Sequence, residues 1–154
     1  MRILVKIGGA QLEQAAPRAA LARSLARAKA AGHELLVVHG GGNQIREVVR
    51  KLGLEERYHE GLRVTDAATA AVVTTVLAGL VNKELVLALN AEGLRAAGLS
   101  GADGGSFSVA KTKASVDLGY VGSVVRADRA LVETLLEGAF TPVIATVAPL
   151  ARDE

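Results

Sequence analysis

Two short apolar runs, each ending in glycine, constrain this chain more than any other feature. Ile3-Leu4-Val5-Lys6-Ile7 leads into Gly8-Gly9, and Leu35-Leu36-Val37-Val38-His39 leads into Gly40-Gly41-Gly42. The runs read as buried strands of a parallel sheet covered on both faces. Ligands of such sheets bind outside the carboxyl ends of the strands, where both glycine clusters fall. Bare backbone N–H groups there can approach an anion that any Cβ would hold off. Two clusters, with Lys6 just before the first, describe a meeting place for two negatively charged molecules, as phosphoryl transfer requires.

The rest of the chain alternates helix and strand. Pro17 to about Ala31 predicts a helix, with Pro17 in its first turn and Gly32 as its cap. Glu34 to Val38 is the second strand. A helix from about Asn43 to Leu52 follows, with Ile45, Val48, Val49 and Leu52 on its inner face and Gly53 behind it. The polar stretch Glu55 to Arg63 predicts an excursion or hairpin. Thr65 or Asp66 caps a long helix reaching about Glu92 and ended by Gly93. Ala96 to Leu99 is a short strand, and Gly101, Gly104 and Gly105 mark a turn. Ser106 to Lys113 alternates as a hairpin arm does. Asp117 to Gly122 is irregular, Asp128 caps a helix ending at Gly138, and Pro142 to Val147 is the last strand. A polar end, Ala151 to Glu154, closes the chain. This order predicts an α/β domain spanning residues 1–154.

Composition narrows the chemistry. Half of the 154 residues are hydrophobic but only four are aromatic, so Val, Leu, Ile and Ala fill the core. With no cysteine, disulfides, thiolate metal sites and a cysteine nucleophile are excluded. A net charge of +2 without a basic run gives nucleic-acid binding no support. The apolar tract from Ala67 to Leu89 contains Thr74, Thr75, Asn82, Lys83 and Glu84, which predicts a buried helix, not a membrane span. No secretory signal opens the chain, so a cytoplasmic location is expected.

Several residues are candidates for chemistry. An ammonium inside a buried strand needs an anion or water, which favours phosphate contact for Lys6 over snorkelling from an edge strand. Gly8 and Gly9 would cover a polyphosphate or form a plain turn. Neither GxGxxG after the first strand nor GxxxxGK[ST] is present, so this is neither an ordinary dinucleotide site nor a P-loop. Gly40, Gly41 and Gly42 precede a helix, where N–H groups and the positive helix end suit a carboxylate as well as a phosphate. Arg63 either grips a carboxylate or pairs on the surface with Asp66 or Glu60. Asn82 and Lys83 read as a packing and surface pair. His33, His39 and His59 lack a metal-binding spacing; His39 is expected to set one ring nitrogen against the backbone and order the glycine loop.

Six motifs stand in a familiar order: Val5-Lys6-Ile7-Gly8-Gly9, Val38 to Ile45, Gly61-Leu62-Arg63-Val64-Thr65-Asp66, Ala78 to Leu85, Gly98 to Gly104, and Asp117 to Gly122. As a set they resemble the acetylglutamate kinases of the amino acid kinase family over essentially the whole chain. The resemblance implies a three-layer α/β/α sandwich with a mainly parallel sheet, the carbamate kinase-like fold of that family. It also implies transfer of the ATP γ-phosphoryl group, with Mg2+, to the side-chain carboxylate of N-acetyl-L-glutamate in arginine biosynthesis. By resemblance, Lys6 stabilises the transferring phosphoryl group and Gly8 and Gly9 form the phosphate-covering turn. Gly41 and Gly42 hold the acetylglutamate, and Arg63 binds its α-carboxylate.

Members of that family are nearly twice as long, and their second half supplies most of the nucleotide site. The chain is therefore expected to be the amino-acid-binding, N-terminal half, with little kinase activity alone and an uncovered strand edge or apolar patch. With no N-terminal helix before the first strand, the resemblance implies an arginine-insensitive form, dimeric through the long helix and adjoining strands. Three alternatives stand beside this: a kinase for carrier-linked aminoadipate, a non-catalytic acidic-ligand-binding or dimerisation domain, and, weakly, a dinucleotide-binding domain.

Overall fold

A computed structural model describes residues 1–151; Arg152, Asp153 and Glu154 of the polar end lie outside the described residues. Four parallel strands form the central sheet: β1 (Arg2–Ile7), β2 (Glu34–His39), β5 (Ala96–Leu99) and β8 (Thr141–Ala145), in the order β1-β2-β8-β5. The register aligns Ile7 with His39, His39 with Ala145, and Leu99 with Ile144. All four carboxyl ends therefore share one rim, and both glycine clusters lie on it.

The crossovers explain the site's position. From β1 the chain moves to β2 through α1 (Ala15–Ala30), and from β5 it moves back to β8 through α5 (Ala130–Glu137). These steps run in opposite directions, so right-handed crossovers place their helices on opposite faces. The two halves meet between β2 and β8, a topological switch point where the strand-end loops diverge into a crevice.

One face is covered by α1, by α2 (Gly42–Lys51), and by a continuous helix from Ala67 to Ala91. That helix comprises α3 (Ala67–Thr74), a π-helical segment Thr75–Val81, and α4 (Asn82–Ala91). Leu35, Val37, Val49, Val81, Leu85, Leu89 and Val143 form the core between them. The helix is long and apolar enough to cross a membrane by length and composition alone. Here it is a core element, and Arg18 of α1 pairs with its Glu84 at 2.9 Å. The π segment is not legible in the sequence; it begins where the Thr75 hydroxyl takes the Ala71 carbonyl and it includes Gly79.

The second face is thinly covered, which corrects the expectation of a sheet buried on both sides. α5 packs on β8, but β1 lies at the sheet edge with Arg2, Leu4 and Lys6 exposed, Leu4 at 64%. β1 is thus an uncovered edge of the sheet. In α2, Ile45 and Val49 point inward, but the helix stops at Lys51 and Leu52 turns to solvent.

Two hairpins stand off the rim. β3 (Arg57–His59) pairs antiparallel with β4 (Leu62–Val64) around Glu60-Gly61, both at positive φ as a tight hairpin turn requires. β6 (Phe107–Lys111) pairs with β7 (Gly122–Ala127). The sequence foretold β6 but not β7, because all six β7 residues are exposed and no burial alternation marks them. After β8 the chain returns along β6, with the Val109 N–H donating to the Pro149 carbonyl and the Ala151 N–H to Val109.

Candidate functional site

The two glycine corners touch. A Cβ on Gly9 would stand 2.9 Å from both Gly41 Cα and Gly42 N, so only glycine lets these backbones meet. Gln44 Nε2 donates to the Gly9 carbonyl at 3.2 Å and ties one corner to the other. Behind Gly41, a Cβ would lie 2.7 Å from Leu77 Cδ2 and 3.2 Å from Val81 Cγ2. Gly41 has an extended φ of −179°, so glycine is needed there for space and not for conformation. The Gly40 N–H donates to the Ile7 carbonyl at 3.1 Å. Among the described residues, the N–H groups of Gly41 and Gly42 have no partner within the protein. They open α2, where N–H groups and the helix dipole favour an anion.

Lys6 corrects a premise. It lies on the sheet face opposite Ile7 and is exposed on an edge strand, so it needs no buried anion. The snorkelling alternative describes its environment.

His39 is fully buried, as its expected role requires. Its Nδ1 lies 3.0 Å from the Gly40 carbonyl, which only accepts, so Nδ1 carries the proton. Its Nε2 lies 3.0 Å from Asn82 Nδ2, which only donates, so Nε2 accepts. The Asn82 amide is oriented independently: Nδ2 donates to the Val143 carbonyl at 2.9 Å and Oδ1 accepts from Lys83 Nζ at 3.1 Å. Desolvation pulls the His39 pKa below the ordinary histidine value, outweighing the Gly40 hydrogen bond. Asn82 is wholly buried and Lys83 exposed, as expected of a packing and surface pair.

Beside these corners, at the switch point, opens a cavity of about 380 Å³. Its walls include Ile45 from α2, Arg63 from β4, Thr65 just after it, Thr74 from α3, Lys111 from β6, Tyr120, and Thr146 after β8. The Arg63 side chain is largely buried; Nη1 pairs with Glu56 at 2.5 Å and the guanidinium lies 4.9 Å from the Tyr58 ring centre. Neither sequence-predicted surface partner holds it. Asp66 instead caps α3, accepting the Thr69 N–H at 2.7 Å, and that bond holds its carboxyl below the usual range. One Arg63 nitrogen is committed to Glu56, which leaves further N–H donors for a carboxylate.

The irregular segment after Lys113 closes the far wall. The Thr65 N–H donates to Leu118 at 3.0 Å and the Tyr120 N–H to Thr65 at 2.7 Å. Between them Gly119 has a φ of +68°, and a Cβ there would overlap the Thr65 carbonyl. Glycine is obligatory at this crossing.

The structure thus joins the two glycine corners and places Arg63 with the first turn of α2 in one cavity. Lys6, Gly8, Gly9, Gly41 and Gly42 are not among the residues lining that cavity. Lys111 and Thr146 line it without having been singled out in the sequence, and Thr65 and Tyr120 were read there only as a cap and as part of a motif. Lys111 is a second cation there, concealed in the alternating pattern of β6. Among the described residues, no group of three or more His, Asp or Glu side chains is placed to hold a metal ion.

Comparison with known proteins agrees with this architecture. Residues 1–153 match the amino acid kinase family. An acetylglutamate kinase of Solibacter usitatus is 46% identical over 148 residues, covering 96% of this chain and 57% of its own length. One from Methanopyrus kandleri is 44% identical over 156 residues, covering 98% and 58%. The chain spans about half the length of these relatives, matching their N-terminal half. The Streptococcus mutans protein smu.665 superposes with a TM-score of 0.80 at 27% identity, covering 94% of this chain and 58% of that one. N-acetylglutamate synthase from Neisseria gonorrhoeae, solved with coenzyme A and N-acetyl-glutamate, gives 0.80 at 19% identity over 97% and 34%, a likeness of fold.

Proposed function

Because this chain belongs to the amino acid kinase family, we propose that it is the acid-binding part of a kinase that phosphorylates the side-chain carboxylate of N-acetyl-L-glutamate. The Gly41 and Gly42 amides and Arg63 hold the acid. Gly8 and Gly9 cover the phosphates of ATP, and Lys6 stabilises the group in transit. A carboxylate oxygen forms a bond to the γ-phosphorus while the bond from that phosphorus to the β,γ-bridging oxygen breaks. The products are an acyl phosphate and ADP. Among the described residues no cluster of carboxylates or histidines is placed to hold Mg2+.

The observation that carries this reading is the backbone contact of Gly9 with Gly41 and Gly42 beside two open N–H groups. Contact between two anion-binding corners is what in-line transfer needs. Calorimetry of the 154-residue chain with N-acetyl-L-glutamate tests it: saturable binding that Arg63→Met weakens is expected, and no binding overturns it. The isolated chain is expected to release little ADP in a coupled assay, because a glycine pair and one lysine cannot align ATP with the acceptor. Leu80 and Leu87, exposed on the long helix, favour a homodimer through that helix. Light scattering at the monomer mass would overturn that assembly.

A further inference from the structure

We propose that Asn82 and His39 are positioning residues that aim the Gly41 amide at the bound acid, an inference that rests on the acid-binding reading of Gly41 and Gly42. The starting point is the planar trans peptide: the carbonyl of Gly40 and the N–H of Gly41 belong to one rigid unit and point in opposite directions. The His39 Nδ1–H holds the Gly40 carbonyl at 3.0 Å. That bond turns the Gly41 N–H away from the buried ring, leaving it without a partner among the described residues.

The histidine can do this only with its proton on Nδ1, and Asn82 supplies the selection. A proton on Nε2 would face the Asn82 amide N–H at 3.0 Å, donor against donor. Rotating the Asn82 amide to accept it would present a carbonyl oxygen to the Val143 carbonyl and an NH2 group to the Lys83 ammonium. Both would be unfavourable contacts, the first wholly buried. Glycine at 98 leaves the room this amide occupies, because a Cβ there would overlap Asn82 Oδ1. The chain runs from Lys83 and Gly98 through Asn82 and His39 to one peptide plane of the acid-binding corner. Thr146 adds a further tie, its hydroxyl donating to the His39 carbonyl at 3.3 Å across the switch point.

The test reads the ring and the amide separately from affinity. Long-range proton–nitrogen NMR of the wild-type chain is expected to show a neutral His39 with its proton on Nδ1. On addition of N-acetyl-L-glutamate the Gly41 amide is expected to shift. Asn82→Asp presents an acceptor to Nε2; a shift of the proton from Nδ1 to Nε2, a lost Gly41 response and about tenfold weaker acid binding are expected. Should that variant not fold, Gly98→Ala displaces the Asn82 amide by crowding and is expected to act in the same direction. A wild-type ring protonated on Nε2 overturns the proposal. So does loss of the Nδ1 proton in either variant with unchanged Gly41 response and affinity. If the wild-type chain binds no acetylglutamate, the acid-binding reading fails. The positioning network is then judged by the tautomer and by hydrogen exchange at Gly41, expected to be faster than at Gly40.

Discussion

The two sides of the site are built by opposite means. The side at the β2–α2 corner stands next to the cavity without lining it, and its contacts are short and mutually dependent: Gly9 on Gly41, Gly41 on Leu77, His39 on Gly40 and Asn82. The side formed by β6, β7 and Tyr120 is an exposed two-stranded arm, with every β7 residue in solvent. A corner whose backbone spacing is fixed by the absence of Cβ atoms can hold an amide in place. An arm with one unpacked strand can admit and release a ligand. Precision belongs to the first side and access to the second.

Substitutions separate the two, beginning with the largest effect. Gly9→Ala or Gly41→Ala forces backbone or core apart, with an expected loss of about 1–3 kcal/mol by denaturant titration and loss of measurable acetylglutamate binding. Wild-type stability in Gly9→Ala would break the picture of a tight corner. Arg63→Lys removes the forked donor, and about tenfold weaker acid binding is expected by calorimetry with little change in fold. Unchanged affinity would remove Arg63 from the acid's contacts.

The pH dependence is smaller. His39 is held neutral, so the unfolded chain binds a proton that the folded chain refuses once pH falls below the ordinary histidine value of about 6.5. Stability is expected to decline from there downward, until the lowered native pKa is reached. His39→Gln should flatten that decline, as followed by thermal melts from neutral to acid pH. Smallest of all, Val125→Thr on the exposed arm should change stability by no more than about 0.5 kcal/mol. A large loss there would show the arm to be packed like the corner.

Particular residues show what could be read in advance. The glycines after β1 and β2 marked the rim, because apolar runs ending in glycine have few other uses in an α/β chain. The β3–β4 hairpin was legible from its polar stretch, and Asp66 from its place ahead of an apolar helix. Lys6 misled, because a lysine in an apolar run looks buried until the strand is known to lie at an edge. Leu52 misled because helical periodicity continued one residue past the helix end. β7 left no readable trace, since an exposed strand shows no alternation of burial.

By itself the sequence determined the parallel α/β framework, the rim and the need for glycine along it, because those follow from local sterics and from hydrophobic runs along the chain. Only the tertiary structure decided that Gly9 lies on Gly41, that Asn82 reaches His39 across from a helix, and that Arg63 shares a cavity with Lys111. Each of these contacts joins residues distant in sequence, and their distances are set by how helices and strands pack, which no local pattern records.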